Sequence, residues 1–84
     1  MNERLGRKVT LREDSKFANN GLSSNRTGFI GVVCEEDRFE DRVWYRVRWS
    51  NFEDNTYEEE DLLWYDYVDD WRDVVRSWGG NVDE

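Results

Sequence analysis

Seven consecutive residues, Val43-Trp44-Tyr45-Arg46-Val47-Arg48-Trp49, constrain the fold most tightly. Val43, Tyr45, Val47 and Trp49 recur at period two on one face, and Trp44, Arg46 and Arg48 occupy the other. This alternation predicts a β-strand with one side turned to a core. The residues Ser50 to Asp54 are polar except for Phe52, and β-branched and aromatic residues return at Thr56 and Tyr57. A hairpin loop is therefore expected between two strands. Glu58, Glu59, Glu60 and Asp61 then place four like charges in a row, too many for a central strand. A tight exposed turn leading into a buried Leu62 fits them better.

Other segments extend the β pattern. Arg7 to Arg12 alternates, with Val9 and Leu11 expected to face inward. Phe29 to Cys34 is apolar on both faces, and Gly31 within it marks a sharp bend or a close approach of backbones. Glu35 to Arg42 reads as a charged hairpin loop centred on Phe39. Between these lies Glu13 to Gly28, rich in Asn, Ser and Gly, which favour turns. Phe17 and Leu22 are expected to pin that long loop to the domain.

The period changes near the end of the chain. Val68, Trp71, Val75 and Trp78 recur at intervals of three, four and three, which predicts an amphipathic helix over residues 66–78. Asp66 is its expected cap, Asp69 and Asp70 suit its first turn, Arg76 suits its last, and Gly79-Gly80 supplies a stop. A sheet segment with two apolar faces needs an outer cover, and this stripe is the spare apolar surface. Trp71, Val75 and Trp78 are expected to pack outside the sheet, over Trp44; the alternative is that they bind a partner or a second copy.

With 84 residues the chain is expected to form a single domain hiding about 60–65% of its unfolded surface. Aromatic residues make up 15% of it, so a few large rings carry much of the apolar area. Without histidine, and with Cys34 as the single cysteine, zinc-finger, disulfide and Cys-His nucleophile arrangements are excluded. Cys34 itself reads as a small buried hydrophobe. Ser15, Ser23 and Ser24 lack a histidine base, the acidic run lacks EF-hand glycine spacing, and Gly79-Gly80 follows a helix instead of preceding one. These features point away from an enzyme, a metal site or a cofactor. Neither a secretory leader nor a membrane-length apolar run is evident, so a cytoplasmic setting is expected. For the same reason the Asn25-Arg26-Thr27 triplet is not read as a glycosylation acceptor.

Charge is unevenly distributed. The net charge is −8; residues 1–48 carry ten Lys or Arg against eight Asp or Glu, and residues 49–84 carry two against twelve. This balance disfavours direct binding of nucleic acid, because phosphate affinity depends on cations.

Val9, Leu11, Asp14, Ser15, Gly31, Val33, Tyr45, Val47, Trp49, Asn51, Asn55, Tyr57, Asp61 and Leu62 form an ordered pattern that resembles the small SH3-like barrels of the mind-bomb/HERC type. It is also similar to short proteins of tailed bacteriophages. The likeness covers about residues 7–63 and leaves the terminal helix outside it. It implies a mainly β fold, a barrel of about five strands with the C-terminal helix packed on it, acting as a binding module. The phage likeness implies an accessory protein that binds and modulates a host protein. One departure stands out: Asn51-Phe52 occupies the hairpin tip where the family carries Asn-Gly, so a longer turn with Phe52 projecting to solvent is expected.

Tyr45, Trp49 and Tyr57 are read as core, which leaves Trp44, Phe52, Trp64 and Tyr65 for surface contact. With Glu53, Asp54, Glu58, Glu59, Glu60 and Asp61 they form the candidate surface for a protein partner with a basic region. Two other readings remain open. Glu53, Asp54, Glu58 to Asp61, Asp66, Asp69, Asp70 and Asp73 could imitate a phosphate track and occupy a nucleic-acid-binding groove. Arg42, Arg46 and Arg48 beside Trp44 could grip a nucleic acid directly.

Overall fold

A computed structural model describes residues 4–19, 21 and 27–82. The expected pinning by Leu22, the Asn25 triplet, Ser23 and Ser24 lie outside the described residues or rest on residues that do. Five strands, β1 (Arg7–Leu11), β2 (Gly31–Phe39), β3 (Arg42–Trp49), β4 (Asp54–Tyr57) and β5 (Leu62–Tyr67), form one antiparallel sheet in the order β4-β3-β2-β1-β5. A 3-10 turn, Glu59–Asp61, joins β4 to β5, and a short helix, α1 (Trp71–Ser77), follows. The sheet is unclosed, with β4 and β5 at its edges.

The alternation of β3 translates directly into burial. Tyr45, Val47 and Trp49 point inward and are buried, and they meet Val9, Leu11, Val33, Tyr57 and Leu62 in one apolar cluster. Trp49 donates its indole N–H to the Tyr57 hydroxyl at 3.1 Å, which satisfies both polar tips inside the core. Tyr45 on β3 meets Trp64 on β5 edge to face at 5.1 Å. Two strands lie between them in the sheet order, so the sheet curls until its two sides touch.

Gly31 is the point of closest approach. A Cβ there would lie 2.6 Å from the Trp49 ring and collide with Val47. The expected close contact is therefore present, and both flanks of the segment are covered: Val33 faces the cluster while Val32 lies buried on the opposite side.

The structure corrects several boundaries. The charged stretch after Cys34 is not a loop to Arg42. β2 runs on to Phe39, paired with β3 through Glu36↔Tyr45 and Arg38↔Val43, and only Glu40 and Asp41 turn. Its charges are tolerated because this part of the hairpin is exposed and flanked by ion pairs, Arg46 to Glu35 at 3.4 Å and Arg38 to Glu36 at 3.1 Å. At the other end of the chain, the helix starts at Trp71, not at 66. Asp66 belongs to β5, and Asp70 takes the N-cap position without a capping side-chain bond. The sheet thus extends past 63, since Leu62–Tyr67 pairs with β1.

The end of α1 follows the expected glycine signal. Gly79 has φ 84°, its N–H reaches the Arg76 carbonyl at 3.0 Å, and the Gly80 N–H reaches the Val75 carbonyl at 2.9 Å. These two bonds make a Schellman stop. Val75 is fully buried, so the helix docks on its own domain. It packs on β2, beside Cys34 and Arg48, and not over Trp44.

Candidate partner-binding surface

The β3–β4 connection, Ser50 to Glu53, is closed by a Trp49–Glu53 pair and so holds a three-residue loop, Ser50, Asn51 and Phe52. Trp49 donates its N–H to the Glu53 carbonyl at 2.8 Å and accepts from the Phe52 N–H at 3.0 Å, while the Asn51 side chain accepts from the Glu53 N–H at 3.3 Å. Such a loop ends with a residue in the left-handed region, a place that favours glycine. Phe52 occupies it with φ 69° and remains 65% exposed. Arg48 anchors the loop from below, donating to the Phe52 carbonyl at 3.3 Å and to Asp54 at 2.8 Å.

The acidic candidates part company. Asp61 is buried, contrary to its expected place on the surface. Its carboxylate accepts from the Ser15 hydroxyl at 2.9 Å and from the Glu58 N–H at 3.2 Å. It therefore ties the 3-10 turn to the start of the long loop. Ser15 in turn accepts from the Phe17 N–H at 3.1 Å, and Phe17 packs on Tyr57 at 5.7 Å, as its apolar character required. Asp54 is held between Arg46 and Arg48, Glu58 between Lys16 and Arg42, and Glu59 by Arg4. Glu53 and Glu60 stand exposed with no ion pair among the described residues.

The contiguous run Glu58 to Asp61 is consequently not one acidic face. The wider set needed for a phosphate track is broken in the same way, since Asp73 also pairs with Arg76 at 3.2 Å. The arginines proposed to grip nucleic acid are compensated too: Arg42 by Glu58, Arg46 by Glu35 and Asp54, and Arg48 by Asp54. The hydrogen bond to Asp54 pushes the Arg46 guanidinium further above its usual range.

The aromatic candidates also separate. Trp64 is a half-buried inner residue, stacked under the Arg4 guanidinium at 4.4 Å and donating to the Glu59 carbonyl at 3.1 Å. Trp44 is half-buried on the outer face of β3, across from Asp37. Tyr65 is exposed on β5 beside Lys8, whose ammonium lies 5.5 Å from the ring. The structure thus brings Phe52, Glu53 and Asp54 together at one tip and scatters the rest.

Sequence reasoning missed Phe39, which is 69% exposed at the opposite end of β3, and the exposed rings and aliphatics Tyr67, Ile30 and Leu63. Phe39 carried a signal in being the single apolar residue among the seven charged ones of Glu35 to Arg42; the others sat in segments read as core or helix. A cleft of about 540 Å³ between α1 and the outer faces of β2 and β3 is lined by Cys34, Arg46, Arg48, Trp71 and Val75. Burial pushes the Cys34 thiol above its ordinary pKa, against the opposing pull of Arg46. No described helix is long and apolar enough to cross a membrane.

Comparisons with protein-family models, with curated proteins and with solved structures return no match for this chain.

Proposed function

We propose that the chain is a non-enzymatic binding module, a small SH3-like barrel that offers Phe52 to an apolar pocket on a partner protein. The strand order, the 3-10 link between the edge strands and the Tyr45–Trp64 contact across the curl support the barrel. Phe52 carries the reading of function. A bulky residue in the left-handed region is strained, and 65% exposure leaves its ring without an intramolecular return for that strain. Strain of this kind concentrates at binding sites. Glu53 beside it, with Glu60, Asp66, Asp69 and Asp70 elsewhere on the surface, favours a partner with a basic rim, which speeds encounter and fixes orientation. The likeness to phage proteins favours a host-cell protein as that partner.

Phe52→Gly separates binding from folding. It removes a left-handed backbone cost of about 1–2 kcal/mol against about 0.5–1 kcal/mol for the freer unfolded chain, so stability should rise by up to about 1 kcal/mol, while an anchor ring lost from an interface costs about 2 kcal/mol or more in affinity. Affinity capture from expressing cells, followed by titration of the captured protein against both forms, reads the outcome. Equal capture by wild type and by a more stable Phe52→Gly chain overturns the proposal.

A further inference from the structure

A second surface, built from residues other than Phe52, lies on the outer face of β1 and β5 and reaches Ile30, whose carbonyl accepts from the Ser50 N–H at 2.9 Å. The register pairs Thr10 with Leu63 of β5 on one side and its neighbour Val9 with Gly31 of β2 on the other, which brings Ile30, the residue just before β2, to the far side of Thr10 from Leu63. Ile30 is 44% exposed and Leu63 42%, and Tyr65 follows at 43% along the same side of β5. Together they make one apolar strip on the solvent side of the sheet. Along the strand direction, on either side of Thr10, Lys8 and Glu13 carry opposite charges, with Asp66 beside Lys8 and the paired Arg12 and Asp14 beside Glu13. Lys8 stands at the Tyr65 end and, like Arg7 and Arg72, has no carboxylate partner among the described residues, whereas Arg4, Arg12, Lys16, Arg38, Arg42, Arg46, Arg48 and Arg76 have one. Glu13 stands at the other end, beside the shallow groove that Thr10 and Leu63 line, and forms no ion pair with a described residue.

We propose that this face binds a second copy of the chain about a twofold axis through the Thr10–Leu63 pair. A twofold interface sets the same patch against itself, so a surface with an apolar centre and opposite charges at its ends is self-complementary. The axis places Lys8 of each copy over Glu13 of the other and covers Leu63, Ile30 and Tyr65. Phe52 is not part of this surface, so the dimer and the Phe52 anchor are separable.

Sedimentation equilibrium from micromolar to about 1 mM protein, at 0.15 M salt to screen the net charge of −8, tests the dimer. The mass should rise from 10.2 kDa toward twice that value. Lys8→Glu and Glu13→Lys should each weaken association roughly tenfold, the double exchange should recover most of it, and Leu63→Lys should abolish it. Phe52→Gly should leave it unchanged. Unchanged circular dichroism shows that each variant is folded. A monomer at every concentration overturns the proposal, as does a dimer that survives Leu63→Lys or that the double exchange fails to restore.

Discussion

Asp61 shows how far a side chain can depart from its neighbours in sequence. Four carboxylates follow one another, yet only the last turns inward, because the 3-10 turn rotates it toward Ser15. Removing it leaves the half-buried Ser15 hydroxyl and the Glu58 N–H without their acceptor. Asp61→Ala should cost about 1–3 kcal/mol, whereas Glu60→Ala, on the exposed side of the same turn, should stay within about 0.5 kcal/mol; urea denaturation of both checks this. Cys34 makes a pH-dependent case. Its thiolate is disfavoured by burial in the folded chain, so the folded state holds its proton to higher pH than the unfolded state. The associated stability is present below the unfolded pKa, about 8.5, and is lost as pH rises through the folded value. Wild type should lose more stability than Cys34→Ala over that alkaline window, and thiol labelling of the folded protein should be slower than of the unfolded chain.

At the scale of elements, the strands that alternate were legible and those that do not were not. Val43 to Trp49 reveals itself by period alone. β2 hides its second half because Glu35 to Arg38 look like a solvated loop, and the pairing that makes them a strand comes from β3. β5 hides because its residues, Leu-Leu-Trp-Tyr-Asp-Tyr, do not alternate in polarity, and a register irregularity opposite Arg7 to Val9 shifts their facing. Asp66 could therefore pass for a helix cap. Gly31 was the exception, a single residue whose spacing announced a tight approach. Gly31→Ala should cost about 1–3 kcal/mol by overpacking Val47 and Trp49. The helix depends on one anchor: Val75→Asp puts a charge where a fully buried methyl pair stood, and should release α1 from β2 before the sheet unfolds. Amide hydrogen exchange would show the α1 amides losing protection first.

For the molecule as a whole, the candidate site was less legible than the fold, and the reason is distance. Phe52 could be singled out because its strain and its exposure are local. The partners that neutralise the acidic run, Arg4, Ser15, Lys16 and Arg42, lie 16 to 55 residues from it in sequence. The same non-local wiring governs assembly. β1 pairs with β5, so a chain cut after residue 63, the limit of the resembling pattern, loses Trp64 and most of an edge strand. Such a fragment should show no dispersed amide spectrum and no cooperative melting.

The β1–β5 pairing also leaves its mark on connectivity. Gly6 accepts a hydrogen bond from the Val68 N–H at 2.9 Å, and a Cβ on Gly6 would meet the Trp71 ring at 2.5 Å. Entry to the first strand and departure from the last are side by side. Because α1 follows, and Val82 lines the same cleft as Leu5, a permuted chain joined there and opened at Glu40–Asp41 keeps every strand pair and the docked helix, and should melt as one cooperative unit.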